Sequence, residues 1–258
     1  MRIGPLEDAA GFAPLDPQLV LGAYAVGVFP MADSRDAGSV YWVEPNERAI
    51  LPLDRFHLSH SLRKTLVSDR FRVTADTAFE QVIALCAESA DDRPDTWINP
   101  QIERASIELH RLGFAHSIEV WEGDRLAGGL YGIALGRAFF GESMVSRARD
   151  ASKVAMAWLV ARMKVGGFTL LDCQFMTDHL ASLGAVEIPR SAYLALLSAA
   201  VDGAVGAGAS AAGAAASGDF FALDRGAAAS WPSLPPPTAT ESGPPTGKVI
   251  AQLLVHTS

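Results

Sequence analysis

Cysteine is scarce in this chain. Cys86 and Cys173 stand far apart in 258 residues with no second pair beside either, so neither a disulfide framework nor a zinc-ligand spacing is present. Long apolar runs are missing too, since none approaches the roughly 20 residues that span a bilayer. The opening MRIGPLEDAAGF lacks the basic start and apolar stretch of a signal peptide. These absences predict a soluble, cytoplasmic chain. Positive charge is short as well: 21 Lys and Arg face 29 Asp and Glu, a net charge of −8. Such a balance disfavours indiscriminate nucleic-acid binding, which needs a broad basic surface, and leaves room only for a local patch. The densest candidate is DRFHLSHSLRKTLVSDRFR, which holds Arg55, Arg63, Lys64, Arg70 and Arg72. The alternative is a solvated surface with no partner.

Motifs of common hydrolases are also absent. No G-x-S-x-G elbow occurs. His57, His60, His110, His116 and His179 show no metal-ligand spacing such as H-E-x-x-H. His116 starts a strand and His179 sits in a helical turn, so both read as structural hydrogen-bonding residues. Gly128 and Gly129 lie within a strand, where glycine marks a bulge or a close backbone approach rather than a phosphate loop.

What is present is enough apolar side chain, 49% of residues, for one or two domains with a sizeable core. PQLVLGAYAVGVFPM predicts a short helix ending at Gly27, and SVYWVEP a strand stopped by Pro45. DTAFEQVIALCAES repeats apolar residues at helical spacing behind an Asp76 or Thr77 cap, and NPQIERASIELHRLGF does so behind Asn99 and Pro100. From His116 the period changes to two. HSIEVWEGDRLAGGLYGIALGRAFFGESMVS predicts three antiparallel strands with turns at Gly123 and Gly136. A helix capped by Asp150 or Ser152 follows, then the strand FTLLDCQF, a short helix TDHLASLGA and a longer one, SAYLALLSAAV. The order is β-β-β-α-β-α, an α+β unit.

After Val201 the composition shifts to Ala/Gly/Ser-rich and then Pro-rich sequence. Such segments bury too little to offset their ordering entropy, which predicts a mostly disordered linker over 202–247. The closing KVIAQLLVHTS predicts a further strand docked on a sheet edge.

Polar residues inside the strands carry the functional signal. Alternation puts Phe140, Glu142 and Met144 on one face of FFGESM, and Asp172 and Gln174 on one face of LLDCQF. If the strands are neighbours, two carboxylates and an amide converge. Each also has an ordinary explanation: Asp172 bonded to a loop amide, Gln174 exposed, Glu142 paired with Arg147 or Arg149. Unpaired buried charge is costly, however, so three such interruptions in one unit point to a site for a cationic substrate, a general base, or both. Trp42, Trp97 and Trp121 read as core or pocket walls, with base stacking as the functional alternative.

The ordered set AYAVGVFPM, YWVEPNERAILPL, HSIEVW, LAGGLYGIALGRAFFGESMVSR, ASKVA and LLDCQFMTDHLASLGAVEIPR resembles the bacterial leucyl/phenylalanyl-tRNA–protein transferases, from about Leu19 to Leu197. That resemblance implies transfer of Leu or Phe, with Met a further candidate, from charged tRNA to an N-terminal Arg or Lys, which marks the acceptor for degradation. It implies no cofactor, no metal and no membrane partner. The fold implied is α+β: a small N-terminal α/β domain over 1–46, a GNAT-like catalytic domain over 47–201, and a disordered extension over 202–247 ahead of the terminal segment 248–258. Asp172, Gln174 and Glu142 match the family's catalytic residues. Tyr24, Trp121, Phe139, Ser143 and Met144 match substrate-pocket positions, and Met31 stands where the family often has Trp. Arg63, Lys64 and Arg70 are the candidate tRNA contacts. Two rivals are an acetyl-CoA N-acetyltransferase and a non-catalytic aminoacyl-tRNA-binding protein. Against the first, SRARDASK lacks the glycines of a pyrophosphate loop.

Overall fold

A computed structural model describes residues 2–3, 14–88, 96–205, 217–226 and 245–255. The N-terminal part holds β1 (Arg2–Ile3), α1 (Pro17–Ala25), β2 (Phe29–Met31) and β3 (Tyr41–Val43), and its strands pair in the order β1-β3-β2. The Asp16 side chain accepts from Gln18 N to cap α1, and Pro17 occupies the first turn, where its missing N–H costs nothing. Gly27 turns the chain out of α1 at φ +82°, a conformation glycine adopts freely.

The larger part is built on a seven-stranded mixed sheet. Its strands are β4 (Glu47–Ile50), β5 (Arg72–Ala75), β6 (Ala115–Glu122), β7 (Arg125–Leu135), β8 (Ala138–Ser146), β9 (Leu170–Gln174) and β10 (Val186–Pro189). Their spatial order is β10-β4-β9-β8-β7-β6-β5. Only β8 and β9 run parallel, because the helix α5 (Ala151–Val165) carries the chain back between them. The other helices are α2 (His60–Val67), α3 (Phe79–Ala87), α4 (Pro100–Arg111), α6 (Asp178–Ser182), α7 (Arg190–Val205) and α8 (Gly247–Val255). One face of the sheet packs on α5, α2 and α8 through residues such as Leu62, Leu159 and Leu254. The opposite face packs on α1, α3, α4 and α7 through Tyr24, Ile83, Leu109 and Tyr193. The result is a three-layer α+β architecture.

Several expectations need correction. KVIAQLLV forms the helix α8, not a strand. Its apolar residues Ile250, Ala251, Leu253 and Leu254 fall on one helical face and are buried with the α2 and α5 side chains. Within the expected linker, residues 217–226 form a turn whose Phe220, Ala222 and Leu223 are buried. The rest of 202–247 lies largely outside the described residues. Neither Asp76 nor Thr77 caps α3, whose N-cap is Ala78: Asp76 accepts from Ser117 N and from His116 Nδ1, both at 2.7 Å, and Thr77 Oγ1 donates to Glu119. Asp150 gives α5 no capping hydrogen bond, and the Ser152 N–H instead donates to Ser146 Oγ at 3.2 Å. Asn99 caps α4 as expected, accepting from Gln101 N and Ile102 N.

Candidate active site

The site arises where two parallel strands part. β8 and β9 pair only at Ala138–Leu170, Phe139–Leu171 and Phe140–Asp172. Beyond Phe140, β8 continues to Ser146, whereas β9 stops at Gln174. A cavity of about 550 Å³ opens at the parting. Its polar side carries Glu142, Ser143 and Gln174, and its apolar wall is made by Leu130, Met156, Leu159 and Leu171.

Two irregularities aim the polar groups. In the β7–β8 ladder Tyr131 pairs with Ser143 and Gly132 with Gly141, so Glu142 is an extra, unpaired residue of a β-bulge. Gly132 is required there: a Cβ would overlap the Phe140 carbonyl oxygen and the Phe139 ring. In the β4–β9 ladder Ala49 pairs with Gln174 and Ile50 with Asp172, which leaves Cys173 as the extra residue. Gln174 then takes φ +62°, the left-handed region that costs a side-chain-bearing residue energy and clusters at functional sites. The parallel register of β8 and β9, continued two residues past the Phe140–Asp172 pair, sets Glu142 opposite Gln174, and the two side chains meet there. Gln174 Nε2 donates to Glu142 Oε1 at 2.9 Å, and Tyr24 Oη donates to the same oxygen at 2.7 Å.

Asp172 lies behind this pair and is fully buried. Arg48 Nε donates to Oδ1 at 2.9 Å and Arg48 Nη2 to Oδ2 at 2.6 Å. Tyr193 Oη adds a bond to Oδ2 at 2.8 Å, and Gln174 N one to Oδ1 at 2.8 Å. Arg48 is itself almost wholly buried, donates to the Gly27 carbonyl at 3.1 Å, and lies over the Phe29 and Tyr193 rings, 4.6 Å from each centroid. A guanidinium matches a carboxylate with two parallel bonds, the arrangement in which a buried ion pair is best compensated. Burial opposes the charge of Arg48, yet the Asp172 carboxylate beside it holds its pKa above the ordinary value.

Glu142 has the opposite situation. Burial pushes its carboxyl up to about 8, with the Asp172 charge adding to the rise. The Tyr24 and Gln174 hydrogen bonds and the Arg48 charge pull the other way. Burial and the neighbouring Glu142 raise Tyr24 well above its ordinary value. The Cys173 thiol is likewise pushed up by burial, which leaves it a poor nucleophile.

The structure brings Glu142, Gln174, Ser143 and Met144 into the cavity lining and sets Asp172 and Tyr24 directly behind them. Trp97 joins the lining, whereas Trp42 is core. Phe139 does not line the cavity: it packs against Phe168 and Phe220 in the apolar cluster that also supplies Leu159 and Leu171. Met31 packs in the other cluster, opposite Tyr41. Trp121 lies in β6, two strands away from β8, and donates to Thr74 Oγ1 at 2.8 Å. Arg63 and Lys64 are exposed on α2, while Arg70 pairs with Glu122. The ordinary partners considered for Glu142 are engaged elsewhere: Arg147 pairs with Glu88 and Arg149 with Asp150.

Sequence reasoning missed Arg48 and Tyr193. The signal was an arginine within ERAILPL, a short apolar run. The argument applied to buried carboxylates holds equally for a buried cation and calls for a partner. No spacing reveals which one, since Asp172 is 124 residues away. Among the described residues no group of three or more His, Cys, Asp or Glu side chains is placed to hold a metal ion. No described helix is long and apolar enough to cross a membrane.

Comparison with known proteins bears on this arrangement. The family model for the leucyl/phenylalanyl-tRNA protein transferase matches residues 50–198, and the model for that transferase's N-terminal domain matches residues 13–46. A leucyl/phenylalanyl-tRNA–protein transferase of Rhizorhabdus wittichii is 61% identical over 251 residues, covering 95% of this chain and 99% of the relative. The Zymomonas mobilis protein of the same name is 66% identical over 187 residues, 72% of this chain and 70% of the relative. That of Novosphingobium aromaticivorans is 51% identical over 259 aligned positions, 95% of this chain and 97% of the relative.

Proposed function

The chain belongs to the leucyl/phenylalanyl-tRNA–protein transferase family, and on that premise we propose a reaction for the cavity between β8 and β9. The enzyme is an aminoacyltransferase that moves leucine or phenylalanine from charged tRNA to a protein. The acceptor is the α-amine of an N-terminal Arg or Lys, which attacks the aminoacyl ester and expels the ribose hydroxyl. The transferred residue marks the acceptor for degradation in the cytoplasm, where charged tRNA is available.

The observation that carries this reading is the hydrogen bond of Gln174 to Glu142 at the mouth of an apolar cavity. A carboxylate facing the cavity attracts a cationic N-terminus, and a side-chain amide beside it orients the amine and the ester. The apolar wall of Leu130, Met156, Leu159 and Leu171 suits a leucyl or phenylalanyl side chain. Discrimination there rests on size, with about 1–3 kcal/mol per methylene. The ester is already activated, so positioning and electrostatics supply much of the rate. A GNAT-like fold is supported by the parting of one parallel strand pair beside a helix. The exposed α2 residues Arg63 and Lys64 are the proposed tRNA contacts.

The test is transfer of labelled leucine from Leu-tRNA to peptides beginning with Arg, Lys, Asp or Glu. Transfer to Arg and Lys peptides is expected. Transfer confined to acidic peptides would overturn the acceptor assignment, and acetylation of the peptide by acetyl-CoA without transfer would overturn the reaction.

A further inference from the structure

Two carboxylates stand near the reacting groups, and their surroundings divide the work between them. Both Asp172 oxygens are occupied by Arg48, Tyr193 and the Gln174 amide, in a position without solvent access. Proton transfer to Asp172 would break a two-pronged buried ion pair and strand the Arg48 charge without a partner. In Glu142 both donors, Tyr24 Oη and Gln174 Nε2, fall on Oε1. No donor among the described residues reaches Oε2, and Glu142 lines the cavity where Asp172 does not.

We propose that Glu142 is the group that takes the proton from the acceptor's α-ammonium, and that Arg48 is a positioning residue that keeps Asp172 ionised as a fixed support for Gln174. This rests on the transfer reaction proposed above. The acceptor nitrogen arrives with three protons. One passes to the Glu142 carboxylate, which frees the lone pair to form the C–N bond. One leaves the nitrogen of the tetrahedral intermediate for the departing ribose oxygen as the C–O bond breaks. The third stays on the new amide. Glu142 then releases its proton to water, so each turnover yields one peptide bond, one free ribose hydroxyl and one proton.

The groups that face Glu142 set its readiness. Tyr24 from α1 and Gln174 from β9 donate to it, and Tyr131 of β7 lies beside it, raised well above its ordinary value mainly by burial. Arg48 from β4 and Asp172 from β9 act on it from behind with opposite signs. Cys173 and His179 share the cavity, and burial together with nearby Lys153 lowers the His179 pKa. No full positive charge enters the cavity from these residues, which leaves that place to the substrate's ammonium.

The test is kcat against pH at saturating Leu-tRNA and Arg-initiated peptide, where ionisation of the free amine drops out. Wild type is expected to gain rate as pH rises and Glu142 becomes a carboxylate, a transition that lies at about 8 in the free protein and lower once the ammonium is bound beside it. Glu142→Gln should lose about 10²–10⁴-fold in kcat, should weaken peptide binding through the lost attraction for its cationic N-terminus, and should lose that rise in kcat with pH. The neutral pair Arg48→Gln with Asp172→Asn should be slower at every pH yet keep the rise. Arg48→Lys, which retains the charge without the fork, serves the same comparison if the neutral pair does not fold. A rise that survives Glu142→Gln, a Glu142→Gln effect confined to KM, or a rise lost in the Asp172 variant would each overturn the assignment. So would a ¹³C-carboxyl titration of the free protein with no Glu142 transition near 8. A wild type that transfers nothing at any pH overturns the functional reading itself.

Discussion

At the scale of single residues, the ion pair of Arg48 with Asp172 dominates. Removing one partner of a buried pair leaves the other charge uncompensated, so Arg48→Met should cost about 3–5 kcal/mol in urea unfolding. Replacing both, as Arg48→Met with Asp172→Leu, should recover most of that stability, because desolvation then vanishes along with the attraction. Activity should stay lost, since Gln174 N no longer has the Oδ1 acceptor that holds it in its left-handed conformation. Glu142 makes a prediction of opposite sign. Its pKa is raised from 4.5 to about 8 in the folded protein, so between those values the folded state holds more protons than the unfolded one. Wild-type stability therefore falls as pH rises across that window, and the full penalty is present above it. Glu142→Gln should gain stability relative to wild type from pH 5 to pH 8.5, read from urea midpoints at the two ends.

At the scale of elements, the bulge in β8 presents Glu142, and its partner Gly132 admits no side chain. Gly132→Ala should destabilise the protein by about 1–3 kcal/mol or more, the usual cost of forcing atoms into a packed core. Because relief must come from Phe140 or Phe139, it should also displace Glu142 and lower kcat. The helix α8 gives a contrast. Leu253 is buried between α8 and the α5 face, far in sequence from the cavity lining. Leu253→Ala should cost about 2–5 kcal/mol of stability, while kcat per folded molecule should change little. Measuring denaturation and transfer on the same preparations separates the two classes of effect.

At the scale of the whole molecule, the acidic chain must still attract an anionic donor. The exposed Arg63 and Lys64 on α2 concentrate positive charge where the overall balance is negative. Replacing both with Ala should raise the KM for Leu-tRNA and leave kcat near wild type. It should also flatten the dependence of log K on log salt by about 0.7–0.9 for each phosphate that is no longer neutralised. Arg70, already paired with Glu122, should contribute less.

Much of this molecule is local and therefore readable from order and periodicity. The alternation of β6, β7 and β8, the Asn99–Pro100 helix start and the β-β-β-α-β-α order follow from side-chain spacing, which acts over a few residues. The convergence of Glu142 with Gln174 was legible in the same way, because carboxylates and amides inside apolar strands need a reason to be there. The terminal helix was not legible: β-branched and apolar residues over so short a segment suit either state, and only the face offered by α2 and α5 selects the helix. The strands β4, β5 and β10 were missed because each is only four residues long. What tertiary structure alone decided is the difference between the two carboxylates. Sequence placed Asp172 and Glu142 together as acids within strands. Arg48 and Tyr193, brought from distant segments, occupy one of them, and the bulge opposite Gly132 turns the other toward the cavity. Desolvation and pairing are properties of surroundings, so no local pattern could have told the two apart.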